Sequence, residues 1–192
     1  MASKLFSRQI KEDQNFLIGK SFLFEIDSSS PYEKSVSDFV EEVTSDGCSV
    51  LVFTHKSSPV YKILSSNHAL RFFLSSSTVS YPKQTYQQNE ILVPQNDFPI
   101  LLDLMSRNVT NSSGSPIGFI IDSISDMLIS SGFDGTYKFL KSSSEILGGA
   151  NVTSLFLLTR GIHDTKILST VRSLFSIHLV SGPDATVKLT RK

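Results

Sequence analysis

The stretch from Ile117 to Leu128, IGFIIDSISDML, constrains this chain most: an unbroken apolar run ends in Asp122 and passes at once into a helix-like pattern. Gly118, Phe119, Ile120 and Ile121 show none of the apolar–polar alternation of a half-wet strand, so both faces of the strand need cover. Such a strand belongs in a parallel sheet between layers of helices. Asp122 then stands at the carboxyl edge of that sheet.

The remaining chain follows the same alternation. Phe22 to Ile26 predicts a first strand, and Val36, Phe39, Val40 and Val43 recur at i, i+3, i+4 and i+7, the core stripe of an amphipathic helix. Asp46-Gly47 ends that helix, and Val50 to Phe53 predicts a second strand, completing a βαβ unit. Ser57 to Ser66 can hold a short helix and Ala69 to Leu74 a third strand. Tyr81 to Phe98 is polar with a proline near each end, which predicts an extended loop carrying a short strand at Glu90 to Val93. Ile100, Leu101, Leu104 and Met105 mark a helix before the turn Asn111 to Pro116.

Beyond Asp122, Phe139, Leu140, Ser143, Ile146 and Leu147 mark a helix closed by Gly148-Gly149, a pair suited to a C-terminal cap. Leu155 to Leu158 and Ile177 to Val180 predict strands flanking the helix stripe Ile167, Leu168, Val171 and Leu174. Gly182-Pro183-Asp184 turns the chain into a last strand, Thr186 to Leu189. The expected architecture is α/β, a mostly parallel sheet with helices on both sides and a C-terminal hairpin. Residues 1–16 read as an extension or short helix with Leu5, Phe6 and Ile10 on one side, and 1–192 as a single domain.

Composition narrows the function classes. The 192 residues carry eighteen basic and eighteen acidic side chains, a balance that argues against a dedicated nucleic-acid module, though not against a local patch. One cysteine, Cys48, excludes a disulfide framework and fits a reducing compartment. Lys4, Arg8, Lys11 and Glu12 interrupt the N-terminal segment, and no apolar stretch reaches membrane-spanning length. The expectation is a soluble, cytoplasmic protein in which the sequons at Asn108, Asn111 and Asn151 are coincidental. His55, His68, His163 and His178 have no metal-ligand spacing with one another or with Cys48, so no metal site is expected. Serine, histidine and aspartate are all present, but no G-x-S-x-G elbow supports a hydrolase.

Gly19-Lys20-Ser21, Lys34-Ser35, Phe39, Gly47, Val50-Leu51-Val52-Phe53-Thr54 and the apolar strand ending in Asp122-Ser123-Ile124-Ser125 together resemble the RecA superfamily of P-loop ATPases, most closely its archaeal KaiC-like branch. The resemblance covers most of the chain by order of elements and implies a RecA-like three-layer sandwich, with Asp122 ending a Walker B-like strand. It also implies a nucleotide site built from Lys34, Ser35 and Asp122, and here the chain departs from the family. A phosphate loop requires G-x-x-x-x-G-K-[ST], whose glycines let backbone N–H groups face phosphates. This chain has Ser28-Ser29-Ser30-Pro31-Tyr32-Glu33-Lys34-Ser35, with Ser28 and Glu33 at the glycine positions.

Forcing a non-glycine residue to positive φ costs roughly 1 kcal/mol. Glu33 beside a phosphate about 5 Å away repels it by roughly 3 kcal/mol at an effective dielectric near 20. Ser30-Pro31-Tyr32-Glu33 also reads as a capping box, with Ser30 as N-cap and Glu33 reaching back to the helix N-terminus. After the second strand the family commonly carries a pair of glutamates, one of which helps to activate the attacking water; His55-Lys56 occupies that place. Asp122 alone is a poor magnesium site and could equally cap the following helix.

Arg160 to Asp164 reads as a polar connection capped by Asp164. Lys188 and Arg191 loosely resemble the basic residues that related ring-forming ATPases extend to a neighbour's phosphate. The resemblance therefore implies a degenerate ATPase without a required cofactor, serving as a regulatory or assembly subunit with protein partners or further copies of itself. The alternatives are weak binding or hydrolysis of Mg-ATP through Lys34, Ser35 and Asp122, a non-catalytic ring subunit of the Elongator type, or a single-stranded nucleic-acid binder.

Overall fold

The computed structural model describes residues 5–13, 16–27, 29–149, 151–182 and 186–191. The uninterrupted apolar runs become the strands of one nine-stranded sheet. In chain order the elements are α1 (Leu5–Gln9), β1 (Ser21–Ile26), α2 (Tyr32–Ser45), β2 (Ser49–Thr54), α3 (Pro59–Leu64), β3 (Arg71–Ser76), β4 (Lys83–Gln84), β5 (Glu90–Pro94), α4 (Phe98–Asn111), β6 (Ile117–Ile121), α5 (Ile124–Ile146), β7 (Val152–Thr159), α6 (Thr165–Ser173), β8 (Ile177–Ser181) and β9 (Val187–Arg191). Across the sheet the strands run β4-β5-β3-β2-β6-β7-β1-β8-β9. Only β4 and β9, at the two edges, pair antiparallel. The expected hairpin is thus β8–β9; Pro183 and Asp184 of its turn lie outside the described residues.

Side chains of one strand alternate between two cores. Phe22 and Phe24 of β1 join Val36, Phe39 and Val43 of α2, Val60 of α3 and Phe6 of α1 on one face. Leu23 of the same strand joins Leu101 and Met105 of α4, Leu128 and Phe139 of α5 and Val171 of α6 on the other. Helices α1–α3 and α4–α6 therefore sandwich the sheet, and every residue of β6 is buried. This is a RecA-like three-layer α/β sandwich. The short N-terminal helix docks by burying Phe6 edge-on against Phe39, with centroids 5.3 Å apart. The buried Glu42 carboxylate accepts from the backbone N–H groups of Phe6 and Ser7, both at 3.0 Å.

Four local expectations change. First, β1 and β2 are consecutive but not neighbours, since β7 and β6 lie between them. Apolar content marks a strand as buried without specifying its partners, so the βαβ unit is a long crossover. Second, the two expected helical segments of α5 abut with no loop between them, broken only by the non-helical Gly132 at φ 75° and ψ 176°; a side chain is strained at that backbone geometry. Third, α5 ends at Ile146 with Leu147 as C-cap, its N–H bonding the Ser143 carbonyl at 2.8 Å, and Gly148 follows at the cap-glycine position but without the positive φ of a left-handed cap. Fourth, the polar span after Tyr81 supplies, besides the expected strand β5, the two-residue strand β4, which main-chain pairing with β5 holds despite its lack of periodicity.

A buried carboxylate, Glu25, lies on β1, 3% exposed. Arg172 of α6 clasps it with Nε and Nη2 donating at 2.7 Å each. Removing one partner of a buried pair strands the other. Because Arg172 retains partial exposure, Glu25→Ala should cost about 2–3 kcal/mol, below the figure for a fully enclosed pair, and lower the thermal midpoint by roughly 5–10 °C. An unchanged midpoint would show that the pair contributes nothing to stability.

Candidate functional site

The parallel strands end together at one edge, and in open α/β sheets that edge is where ligands bind. Two places there matter, the β1–α2 connection and the ends of β2 and β6. In register, Ile121 of β6 and Leu23 of β1 both align with Phe156 of β7, so Ile26 lies three residues farther along. At 3.3 Å per residue, β1 overreaches β6 by about 10 Å.

The β1–α2 connection is closed upon itself. Asp27 accepts from the Ser29 N–H at 3.0 Å and the Ser29 hydroxyl at 2.7 Å, and the Ser30 N–H bonds the Asp27 carbonyl at 2.9 Å. The Ser29 bonds hold the Asp27 carboxyl below its ordinary value. Ser30 does not form the expected capping box. Helix α2 starts at Tyr32 with Pro31 as N-cap and no side-chain cap bond. The Ser30 hydroxyl instead donates to the Asp27 carbonyl and to Ser181 Oγ, both at 3.0 Å, because the end of β8 brings Ser181 within reach. Ser28, at the first glycine position, lies outside the described residues. Lys34 is exposed and its Nζ donates to the Asp38 carboxylate one helical turn on, at 2.9 and 3.1 Å. Ser35 is fully buried. Tyr32 is also buried, and its phenol is pushed up by burial first and then by the carboxylates of Asp122, Glu33 and Asp126.

Asp122 belongs to a different cluster. Its Oδ2 accepts the Thr54 hydroxyl at 2.6 Å and the Ser58 hydroxyl. Lys34 and Ser35 are absent from these bonds, so the three predicted site residues fall into two separate groups. The role of N-cap to α5 passes to Ser123, whose Oγ accepts from the Asp126 N–H at 3.2 Å. Asp122 turns instead towards β2, where two hydroxyl donors meet it. Burial raises the Asp122 carboxyl from 3.8, with the Ser58 and Thr54 bonds and His55 opposing the shift and Asp126 adding to it.

His55 and Lys56, at the position of the family's glutamate pair, point to different partners. His55 Nδ1 lies 2.8 Å from Ser57 Oγ and its Nε2 3.5 Å from Asp126 Oδ2. Lys56 Nζ lies 3.5 Å from Glu90 Oε2. His163 Nε2 lies 2.9 Å from Ser125 Oγ, which also accepts from the Thr159 N–H, and burial lowers the His163 pKa. Asp164 caps α6 as expected, accepting from the Lys166 N–H at 2.7 Å. Lys188 sits on the edge strand β9; the Arg191 side chain lies outside the described residues.

A cleft of about 650 Å³ opens beside Asp122, between the ends of β2, β3 and β5 and the first two turns of α5. Phe98, Leu101 and Met127 supply apolar wall, while His55, Ser57, Asp122 and Asp126 supply polar atoms. No residue from Asp27 to Ser35 lines it. Sequence reasoning missed the cleft and the partners of Asp122. The Ser58-Pro59 cap-and-proline start of α3 was the available signal. Among the described residues no group of three or more His, Cys, Asp or Glu side chains could hold a metal ion, and no helix is long and apolar enough to cross a membrane.

No protein-family profile and no curated protein matches the chain. Solved structures do match. A Pyrococcus horikoshii OT3 protein, studied as project PH0250, superposes with a TM-score of 0.69 at 14% identity, over 93% of this chain and 90% of that one. An ATPase from the type III secretion system of pathogenic bacteria superposes with a TM-score of 0.52 at 13% identity, over 86% of this chain. This chain spans about half of that ATPase, 51%. At such identities the likeness shows the fold, the RecA-like sandwich, and leaves function to the residues.

The raised Asp122 carboxyl makes a signed prediction. A carboxyl whose folded value exceeds its unfolded value binds its proton more tightly when folded, so its contribution to stability falls as pH rises through that interval. Asp122→Asn keeps an acceptor and removes the titration, so it should gain stability relative to wild type as pH rises from 3.8 to neutrality. Asp122→Ala leaves two hydroxyls unpaired and should cost on the order of 1–3 kcal/mol. Thermal unfolding of the three proteins across that range checks both; a constant difference between Asp122→Asn and wild type would contradict the shift.

Proposed function

We propose that this protein is a RecA-like domain that does not hydrolyse ATP and serves as a regulatory or assembly subunit, binding a protein partner or further copies of itself. The observation that carries this reading is the β1–α2 connection, whose Ser29 and Ser30 N–H groups are spent on Asp27. A phosphate site needs such N–H groups directed outward. Lys34, which would supply the charge, lies along α2 against Asp38. Tyr32 adds a buried ring at the start of α2, and Glu33 and Asp27 add carboxylates that oppose a bound phosphate.

The similarity to KaiC-like proteins supports the reading from the sequence side, since the elements persist while the glycines and the glutamate pair are replaced. The competing reading, weak Mg-ATP binding through Lys34, Ser35 and Asp122, draws support from the position of Asp122 at the carboxyl edge.

Thermal unfolding with and without millimolar Mg-ATP separates the two. A ligand at a hundred times its dissociation constant adds about 2.7 kcal/mol, a rise of roughly 5–10 °C for a chain of this size. The proposal expects no rise. A rise that Lys34→Ala abolishes would overturn it and restore nucleotide binding.

A further inference from the structure

We propose that Ser57, His55 and Asp126 form a hydrolytic site for small acyl esters at the mouth of the cleft beside Asp122. The feature that identifies an activated nucleophile is a hydroxyl within hydrogen-bond reach of a base that is itself oriented by a third group. Ser57 Oγ lies 2.8 Å from His55 Nδ1, and His55 Nε2 faces Asp126 Oδ2 at 3.5 Å. With Nε2–H directed at the carboxylate, Nδ1 is left as the acceptor for the Ser57 proton. The longer contact suits an unliganded site, where such bonds tighten only with substrate in place.

The three residues are held by two parts of the fold. His55 and Ser57 share a turn closed by the Ser58 N–H on the His55 carbonyl at 3.0 Å. Its far end is anchored because Ser58 is the N-cap of α3 and donates to Asp122. Asp126 comes from the first turn of α5, and its Oδ2 also accepts from the Ser123 hydroxyl at 3.1 Å. All three line the cleft, and its wall of Phe98, Leu101 and Met127 offers an apolar surface to an acyl chain.

In the step assigned, Ser57 Oγ attacks the ester carbonyl carbon while His55 Nδ1 takes the hydroxyl proton. The bond from carbonyl carbon to the leaving oxygen breaks, and that proton passes to the departing alkoxide, releasing an alcohol and acyl-Ser57. Water then attacks the acyl carbon, gives its proton to His55 and releases the carboxylic acid with Ser57 reprotonated. The sum is ester plus water to acid plus alcohol. An ester is favoured over an amide because an alkoxide leaves more readily than an amine. Neither Lys34, Ser35 nor ATP enters this step, so it stands or falls separately from the nucleotide reading.

The test uses the full chain with a fluorophosphonate probe and p-nitrophenyl butyrate. Displacement of fluoride should leave one phosphonyl group on Ser57, located by tandem mass spectrometry in the folded protein and lost on denaturation. Ser57→Ala and His55→Ala should each lower butyrate turnover at least tenfold, and Asp126→Asn should lower kcat with KM retained. Ser57 is exposed, so Ser57→Ala should keep the wild-type unfolding midpoint, and the adduct on wild type needs no variant. No adduct, an adduct on another serine, or turnover unchanged in Ser57→Ala overturns the proposal.

Discussion

The pairing of β6 between β2 and β7 is the constraint on which the rest of the molecule depends. A central parallel strand satisfies its backbone only through neighbours on both sides and its side chains only through helices on both faces. Val50 of β2 packs over Gly118, where a side chain would come within 3.1 Å of a Val50 methyl, so the two strands close without a gap at that point. Because the strands run parallel, their polar endings gather at one edge. Asp122, Thr54 and Ser58 meet there, where burial raises the carboxyl and the two hydroxyl bonds oppose the shift.

The same edge behaves differently at its two sites. At the end of β1 the chain satisfies its own donors within a tight turn, and the nearby charges of Asp27 and Glu33 are negative. At the ends of β2, β3 and β5 the chain leaves a cleft under the first two turns of α5. Ser130 Oγ reaches across to Asn96 Oδ1 at 2.8 Å and fixes that separation. The scaffold is the RecA-like sandwich, and its open, polar concavity lies on the other side of Asp122 from the β1–α2 connection.

Much of the fold was legible before any coordinates, since unalternated runs such as Phe22 to Ile26 and Val50 to Phe53 admit few roles and the stripe Val36, Phe39, Val40, Val43 admits one. Strand order was less accessible. Nothing local in β1 distinguishes β2 from β7 as its neighbour, and β4 and β5 are held by partners rather than by periodicity. In the site, Asp122 was visible as the end of an apolar strand, and Asp164 as a cap. Thr54, Ser58 and Asp126 were not, because their roles arise from contacts across 68, 64 and 71 residues of chain. Ser30 illustrates the converse: its local pattern favours a capping box, and a distant hydroxyl, Ser181, competes successfully for it.

The central claim is that the β1–α2 connection is closed to phosphate. Amide proton–nitrogen correlation spectra recorded during titration with Mg-ATP test it most directly, because they observe the backbone N–H groups a phosphate would have to engage. Unshifted Ser29, Ser30 and Tyr32 to Ser35 resonances at millimolar nucleotide are the predicted result. Saturable shifts confined to those residues would contradict the account and place nucleotide at the start of α2.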